Sequence, residues 1–222
     1  MGRLLLAWSS GKDSAWALEA LRRQGTPVSA LLTTINEAAG RVAMHGVRRS
    51  LVEAQAESLG VPLWTVPLPW PCTNDEYEAR MAAACRRGVA EGFDAIAFGD
   101  LFLRDVRAYR ERTLAGSGLT PVFPLWDIPT ALLARDMIEG GLRARISCLD
   151  PKVLDPSFAG REFDRQLLEE LPPGVDPCAE NGEFHTFAYD GPMFRRPIPI
   201  VAGEVVERSG FIYADLCPAS SP

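Results

Sequence analysis

The first apolar block runs from Leu4 to Trp8 and stops at Ser9-Ser10-Gly11, after which Ala15, Trp16, Leu18 and Leu21 recur at helical spacing as far as Gly25. That order predicts a strand, a tight loop and a helix. Val28 to Ile35 reads as a second buried strand, Val47 to Leu59 as a helix closed by Gly60, and Val61 to Leu68 as a third strand. Asp75 to Val89 has helical periodicity, and Phe93 to Phe98 is a short apolar strand running into Gly99-Asp100. Leu103 to Ala115 then reads as a helix and Leu119 to Leu125 as a fifth strand. Strands alternating with helices of this length predict an α/β fold with a doubly wound, parallel five-stranded sheet of order 3-2-1-4-5, covered on both faces.

After Trp126 the texture changes. Pro129 starts a helix through Ile138, Arg143 to Leu149 is a strand, and Phe158 to Leu171 is expected to be a helix ended by Pro172-Pro173-Gly174. Phe184 to Tyr189, Ile198 to Val206 and Phe211 to Leu216 read as short strands joined by Gly, Pro and Asp turns. The expected organisation is therefore a first domain over residues 1–127 and a smaller C-terminal α+β domain over 128–222.

At 222 residues, with 47% hydrophobic and 23% charged, the chain can bury a real core but cannot hold a tandem array of domains. A net charge of −6 gives no general attraction to nucleic acid or anionic lipid, so any bound anion must be held locally. Nucleic acid is accordingly not an expected partner. Cys72, Cys85, Cys148, Cys178 and Cys217 form no CxxC pair, and with only two histidines a structural zinc site is not expected. Reduced thiols in a cytoplasmic protein are the expectation. The Leu4 to Trp8 run is shorter than a signal-peptide core, so no membrane association is expected either.

The sharpest chemical feature is Ser9-Ser10-Gly11-Lys12-Asp13-Ser14, between the first strand and the first helix. Such a turn aims backbone N–H groups and the positive end of a helix at one point, while Lys12 adds a cation and the hydroxyls add donors. A polyphosphate fits that site, although Ser10 or Asp13 as a simple helix cap would use the same residues. The Walker A spacing is absent: Leu6 stands where its first Gly belongs, and Asp13 follows Lys12 where Ser or Thr is required.

The loop resembles the SGGKDS signature of the PP-loop ATP pyrophosphatases, with Ser10 in place of the second-position Gly. Cys178-Ala179-Glu180-Asn181-Gly182-Glu183-Phe184-His185-Thr186-Phe187 resembles the GENGEF(H/E)TF signature of the diphthine–ammonia ligase family, with Ala179 where Gly is usual. Gly99-Asp100, Arg104 to Glu111, Pro124-Leu125-Trp126 and Asp190 to Phe194 extend the likeness along nearly the whole chain. The resemblance implies a HUP-like ATP-binding domain followed by a substrate-binding domain. It further implies attack of a substrate carboxylate on the α-phosphorus of ATP, with pyrophosphate held in the loop, and displacement of AMP by ammonia. In the resembled family the acceptor is diphthine, a modified histidine of translation elongation factor 2.

On the doubly wound topology, Ser9 to Ser14 lies beside Gly99-Asp100 at the switch-point crevice, where Asp100 is placed to hold Mg²⁺ on the phosphates. Thr33 and Thr34 end the second strand, where the superfamily's adenine and ribose lie. Met44-His45-Gly46 should face the same crevice, and Arg104 at the start of its helix is a candidate for phosphate charge. The Asn181-Gly182 turn and the following strand put Glu180, Asn181, Gly182, Glu183, His185 and Thr186 on the acceptor side, with Glu183 and His185 expected on one face as an acid/base pair. Lys12, Asp100, Glu183 and His185 are the expected catalytic residues. Two other functions use much of the same sequence: nucleotide-dependent tRNA modification, and nucleotide binding without turnover. Expected partners are ATP, ammonia and a carboxylate-bearing substrate, and a homodimer is open.

Overall fold

The computed structural model describes residues 2–219. Five strands form the parallel sheet: β1 (Arg3–Ala7), β2 (Val28–Asn36), β4 (Leu63–Leu68), β5 (Phe93–Ala97) and β6 (Thr120–Val122). β1 pairs with β2 and β5, β2 with β4, and β5 with β6, all parallel, which gives the expected 3-2-1-4-5 order. The two-residue strand β3 (Arg41–Val42), which periodicity does not reveal, pairs antiparallel with the end of β2.

Alternation along β1 explains why the sheet needs cover on both sides. Leu4 and Leu6 enter one core together with Trp16, Leu18 and Leu21 of α1 (Lys12–Arg23) and Leu51 and Leu59 of α2 (Arg49–Leu59). Leu5 enters the other, with Trp64, Phe93, Ile96 and Leu114, beneath α3 (Asn74–Ala90) and α4 (Arg104–Leu114). Each leucine of this kind contributes about 1.5–3 kcal/mol by leaving water.

The C-terminal part adds α5 (Thr130–Glu139), β7 (Arg143–Leu149), α6 (Arg165–Glu170), β8 (Phe184–Asp190), β9 (Ile200–Arg208) and β10 (Phe211–Pro218). Its four strands form an antiparallel sheet of order β8-β7-β10-β9. Ala144, Ile146, Phe184 and Phe187 from this sheet belong to the same core as α1 and α2. The parallel sheet and the C-terminal sheet thus share one hydrophobic interior, which fixes their relative position.

Two expected elements are corrected. The helix expected over Phe158 to Leu171 is a 3₁₀ turn at Pro156–Phe158 followed by the six-residue α6. Gly160, at φ 80°, turns the chain out of helix, Glu162 bridges to Arg145 instead, and Asp164 caps a new start by accepting from Leu167 N at 2.8 Å. The strand expected over Leu119 to Leu125 is only Thr120–Val122; Pro124, two residues on, lacks the N–H that a longer ladder needs. Among the described residues no helix is long and apolar enough to cross a membrane.

Candidate functional site: the β1–α1 loop under the C-terminal sheet

The chain leaves β1 still hydrogen-bonded, Trp8 N donating to Leu32 O at 2.8 Å, and then turns sharply at Ser9 and Ser10. Ser10 adopts the left-handed region, φ 72°. Gly11 is the N-cap of α1, and no side chain caps the helix, so neither Ser10 nor Asp13 serves the simple capping role. Space dictates both neighbouring glycines. A Cβ on Gly11 would stand 3.1 Å from Thr186 O and 3.2 Å from His45 Cε1, and one on Gly99 would stand 3.0 Å from the backbone of Asp13. The loop is therefore wedged between the end of β5 and strand β8, which comes from about 170 residues away.

Several hydrogen bonds hold that wedge. Lys12 N donates to Thr186 Oγ1 at 3.0 Å, and Ala188 N donates to Ser10 O at 2.9 Å. Gln55, fully buried on α2, donates to Ser10 O at 3.0 Å and to Ala188 O at 2.6 Å while accepting from Trp8 Nε1 at 2.8 Å. The Lys12 ammonium is 2% exposed; it donates to Asp13 Oδ2 at 2.8 Å and to the Cys178 carbonyl. It points into the joint between the loop and the C-terminal segment. Burial pulls its pKa down, but Asp13 and the neighbouring acidic groups outweigh burial, so the ammonium stays charged.

Acidic groups outnumber the cations here. Glu180 Oε1 accepts from Leu101 N at 2.7 Å, which ties the Cys178–Phe187 segment to Gly99-Asp100. Burial, with the charges of Asp13 and Asp100 adding to it, pushes the Glu180 carboxyl up to about 7. A carboxyl titrating there is suited to proton transfer near neutral pH. Asp100 is also pushed up by burial, against the pull of Arg110, whose Nε lies 3.3 Å from Asp100 Oδ2.

Two imidazoles complete the site. His45 and His185 lie 4.5 Å apart between ring centroids, and His45 Nδ1 is 3.4 Å from Thr186 O. Burial lowers both, His45 well below its ordinary range and His185 to about 4, so both are neutral at pH 7. Glu183 precedes β8, and its Oε1 accepts from Asp176 N and Asn181 Nδ2, both at 3.0 Å, closing the turn at Gly182. Glu183 Oε2 is buried without a protein partner.

Thr33 and Thr34 do not end β2 as expected: the strand runs on to Asn36, because Ile35 and Asn36 still pair with Pro67 and Leu68 of β4. Both follow Leu32, which bonds Trp8, and Thr33 Oγ1 is buried without a partner. Arg104 is exposed in the first turn of α4, while Arg110, two turns on, reaches the crevice through Asp100. Two further buried oxygens lack a protein partner within the loop itself: Ser10 Oγ and Asp13 Oδ1. A hydroxyl donor and an anionic oxygen left unpaired at the positive end of a helix are what a phosphate chain with its divalent cation would satisfy. Among the described residues no three His, Cys, Asp or Glu side chains cluster as a self-sufficient metal site.

The sequence matches the diphthamide synthase N-terminal domain over residues 2–121 and the diphthamide synthase C-terminal domain over residues 129–215. The chain belongs to the diphthamide synthase family. It is similar to the diphthine–ammonia ligase of Bos taurus, 26% identical over 229 residues that cover 93% of this chain and 85% of the relative. The Danio rerio diphthine–ammonia ligase is 28% identical over 228 residues, 93% of this chain and 89% of the relative. Both departures from the two glycine-containing signatures that the sequence resembles, Ser10 and Ala179, fall at left-handed positions, φ 72° and 56°. These are conformations that glycine adopts without strain.

Residues that the sequence left unmarked in this diphthamide synthase family member include Gln55 and Asp215, while Arg110, spaced by three from Arg104 and Arg107 and the weaker candidate beside Arg104, is the arginine that pairs with Asp100. Gln55 had a legible signal: it occupies an inward position of α2 between Leu51, Val52, Ala56 and Leu59, where a polar residue must find buried partners. Asp215, which bonds Arg41 and Arg48 beneath the His45 hairpin, had none, because only the pairing of β10 beside β7 brings it there.

Proposed function

We propose that the protein is an ATP-dependent, AMP-forming ligase that converts a substrate carboxylate to an amide with ammonia, with diphthine on an elongation factor as its acceptor. The observation that carries this reading is the unsatisfied pair Ser10 Oγ and Asp13 Oδ1 in a loop closed by the Cys178–Phe187 segment. The carboxylate oxygen bonds to the α-phosphorus as the bond to the β-phosphate bridge breaks. Ammonia then bonds to the acyl carbon, AMP leaves with the acyl oxygen, and one proton is lost from nitrogen.

In this reading Ser9, Ser10, Gly11, Asp13 and Ser14 hold the leaving pyrophosphate, and Lys12 supplies the charge beneath it. Gly99 lets the loop lie flat on β5. Thr33, Thr34 and His45 line the nucleoside side, and Arg104 contributes charge at the rim. Asp100 together with the free oxygen of Asp13 would hold Mg²⁺, which neutralises phosphate charge. Glu180, near pH 7 in its titration, takes the proton released from nitrogen, and His185 with Thr186 faces the reacting groups. Asn181, Gly182 and Glu183 shape the acceptor turn.

Chromatography of a reaction containing ATP, Mg²⁺, ammonium and a diphthine-bearing elongation factor tests the reading. AMP, pyrophosphate and amidated factor are expected. ADP and inorganic phosphate, or AMP release that is indifferent to ammonium, would overturn it.

A further inference from the structure

The turn over residues 176–183 gathers more negative charge than its surroundings neutralise. Glu180 N donates to Asp176 Oδ2 at 2.8 Å, and Asp176 N and Asn181 Nδ2 both donate to Glu183 Oε1 at 3.0 Å, so three carboxylates are folded together. Burial pushes the neighbouring Cys178 thiol up against the pull of Lys12, and the charges of Asp13, Asp176 and Glu180 add to that push. Lys12 is already spent on Asp13 and the Cys178 carbonyl. Glu183 is only 6% exposed, and its second carboxylate oxygen, Oε2, is buried without a protein partner. A carboxylate oxygen can only accept, so a buried one left free calls for a donor.

We propose that Glu183 Oε2 is the seat of the nitrogen substrate, which it binds as the ammonium ion in this acidic turn beside the loop. The inference rests on the ligase reading above and names where that reaction holds its ammonia.

Charge selects a cation over an anion, and the free group selects a donor. Ammonium, the form of ammonia that prevails at neutral pH, is a compact cation whose N–H groups all donate, and a hydrogen bond from it to a carboxylate is charge-assisted. A divalent ion suits the turn less well, because among the described residues no three His, Cys, Asp or Glu side chains cluster as a metal site. Entry is open: Asn181 is exposed, and a Cβ at Gly182 would meet nothing within 4 Å, so a small ion reaches the turn from solvent. The seat also adjoins the nucleotide loop. The Cys178 carbonyl, two residues from Asp176, accepts from the Lys12 ammonium, and the ring of Phe184, next to Glu183, lies 5.7 Å from Lys12 Nζ. Glu180, the carboxyl that titrates near neutral pH, belongs to the same turn through its N–H to Asp176.

The test titrates ammonium chloride into the full chain without ATP, with sodium chloride at equal ionic strength as the reference, and follows the protein's amide resonances by NMR. The Asp176 N–H and the Asn181 side-chain amide both donate to the Glu183 carboxylate, so their signals report on it directly. Ammonium should shift both saturably in the millimolar range, and sodium should not. Glu183→Gln keeps an acceptor oxygen for both bonds but removes the charge, and should weaken ammonium binding about tenfold, the equivalent of one charge-assisted hydrogen bond. Glu183→Asp, which keeps the charge, should recover part of it. In turnover, Glu183→Gln should lower kcat/KM for ammonium about tenfold more than kcat/KM for ATP. Absence of saturable shifts in the wild-type chain, the same shifts with sodium, or an equal fall in the two kcat/KM values overturns the proposal. Because the titration needs no turnover, it stands apart from the ligase reading. Ammonium binding that Glu183→Gln weakens, in a protein that forms no amide, would support the seat and sink the reaction; amide formation without saturable ammonium shifts would do the reverse.

Discussion

The carbonyl of Ser10 accepts from the side-chain amide of Gln55 at 3.0 Å, and the same amide bonds Ala188 O and Trp8 Nε1. One buried side chain on α2 therefore clamps the end of β1, the apex of the loop and strand β8. The clamp answers a local difficulty. A non-glycine residue in the left-handed region is strained by about 1–2 kcal/mol, and it persists only where its surroundings over-determine it.

Ser10→Gly should separate the two consequences of that serine. Relief of strain, partly offset by the greater freedom of glycine in the unfolded chain, should raise stability by about 0.5–1 kcal/mol. Loss of the free hydroxyl should weaken ATP binding about fivefold, the equivalent of one hydrogen bond of about 1 kcal/mol. Urea denaturation and calorimetric titration read the two effects. Unchanged affinity would mean that Ser10 Oγ does not face the phosphates.

Lys12→Met is expected to destabilise the protein even without nucleotide. The ammonium is buried between Asp13 and the Cys178 carbonyl, so its removal leaves a carboxylate and a carbonyl without their donor. Breaking a buried pair in this way costs about 3–5 kcal/mol. A lysine that only waited for phosphate would leave the denaturation midpoint of the nucleotide-free protein where it was.

The parallel sheet was legible because β1, β2, β4 and β5 are short, largely apolar runs separated by helices of regular period, and the switch point followed from their order. The loop was legible because Ser-Gly-Lys-Asp between strand and helix is a local signal. What escaped was non-local. Lys12 reads in sequence as a cation for bound phosphate, and its bond to the Cys178 carbonyl comes only with the arrival of that segment. Glu183 stands just before β8, and its Oε1 accepts from Asp176 N and Asn181 Nδ2, partners that the turn at Gly182 brings to it. Arg110 gained its partner because α4 descends over β5 from Asp100, a packing relation that charge periodicity alone does not reveal.

Acid should destabilise the protein through the histidine pair. His185 titrates at about 4 when folded, against an ordinary value near 6.5, because burial disfavours the imidazolium. The unfolded chain thus binds the proton first, and stability is full above about pH 6.5 and declines as pH falls toward about 4. His45 is shifted in the same direction. His185→Asn should flatten the slope of unfolding free energy between pH 6.5 and 4; an unaltered slope would place the acid sensitivity elsewhere.

Asp215→Asn should loosen the loop from a distance. Asp215 Oδ1 accepts from Arg41 Nη1 at 2.9 Å and from Arg48 Nε at 3.1 Å, and Arg41 Nη1 also donates to Gly46 O at 2.7 Å. That network holds the hairpin that carries His45 against Gly11. Burial works against the carboxylate, but the two arginines overcome it and hold Asp215 at about 2. Since the folded value lies below the unfolded 3.8, the stabilisation is complete above about pH 4 and is lost as pH falls toward 2. The variant should therefore lose about 2 kcal/mol at pH 7, the scale of a hydrogen bond to a charged group, and the gap from the wild-type protein should narrow at pH 3. It should also bind ATP more weakly, with the His45 ring resonances shifted, while Asp215→Glu restores part of both. An equal loss of stability at pH 7 and pH 3 would remove the ion pair as its cause. Intact ATP affinity would show that the hairpin does not need this anchor to meet the loop.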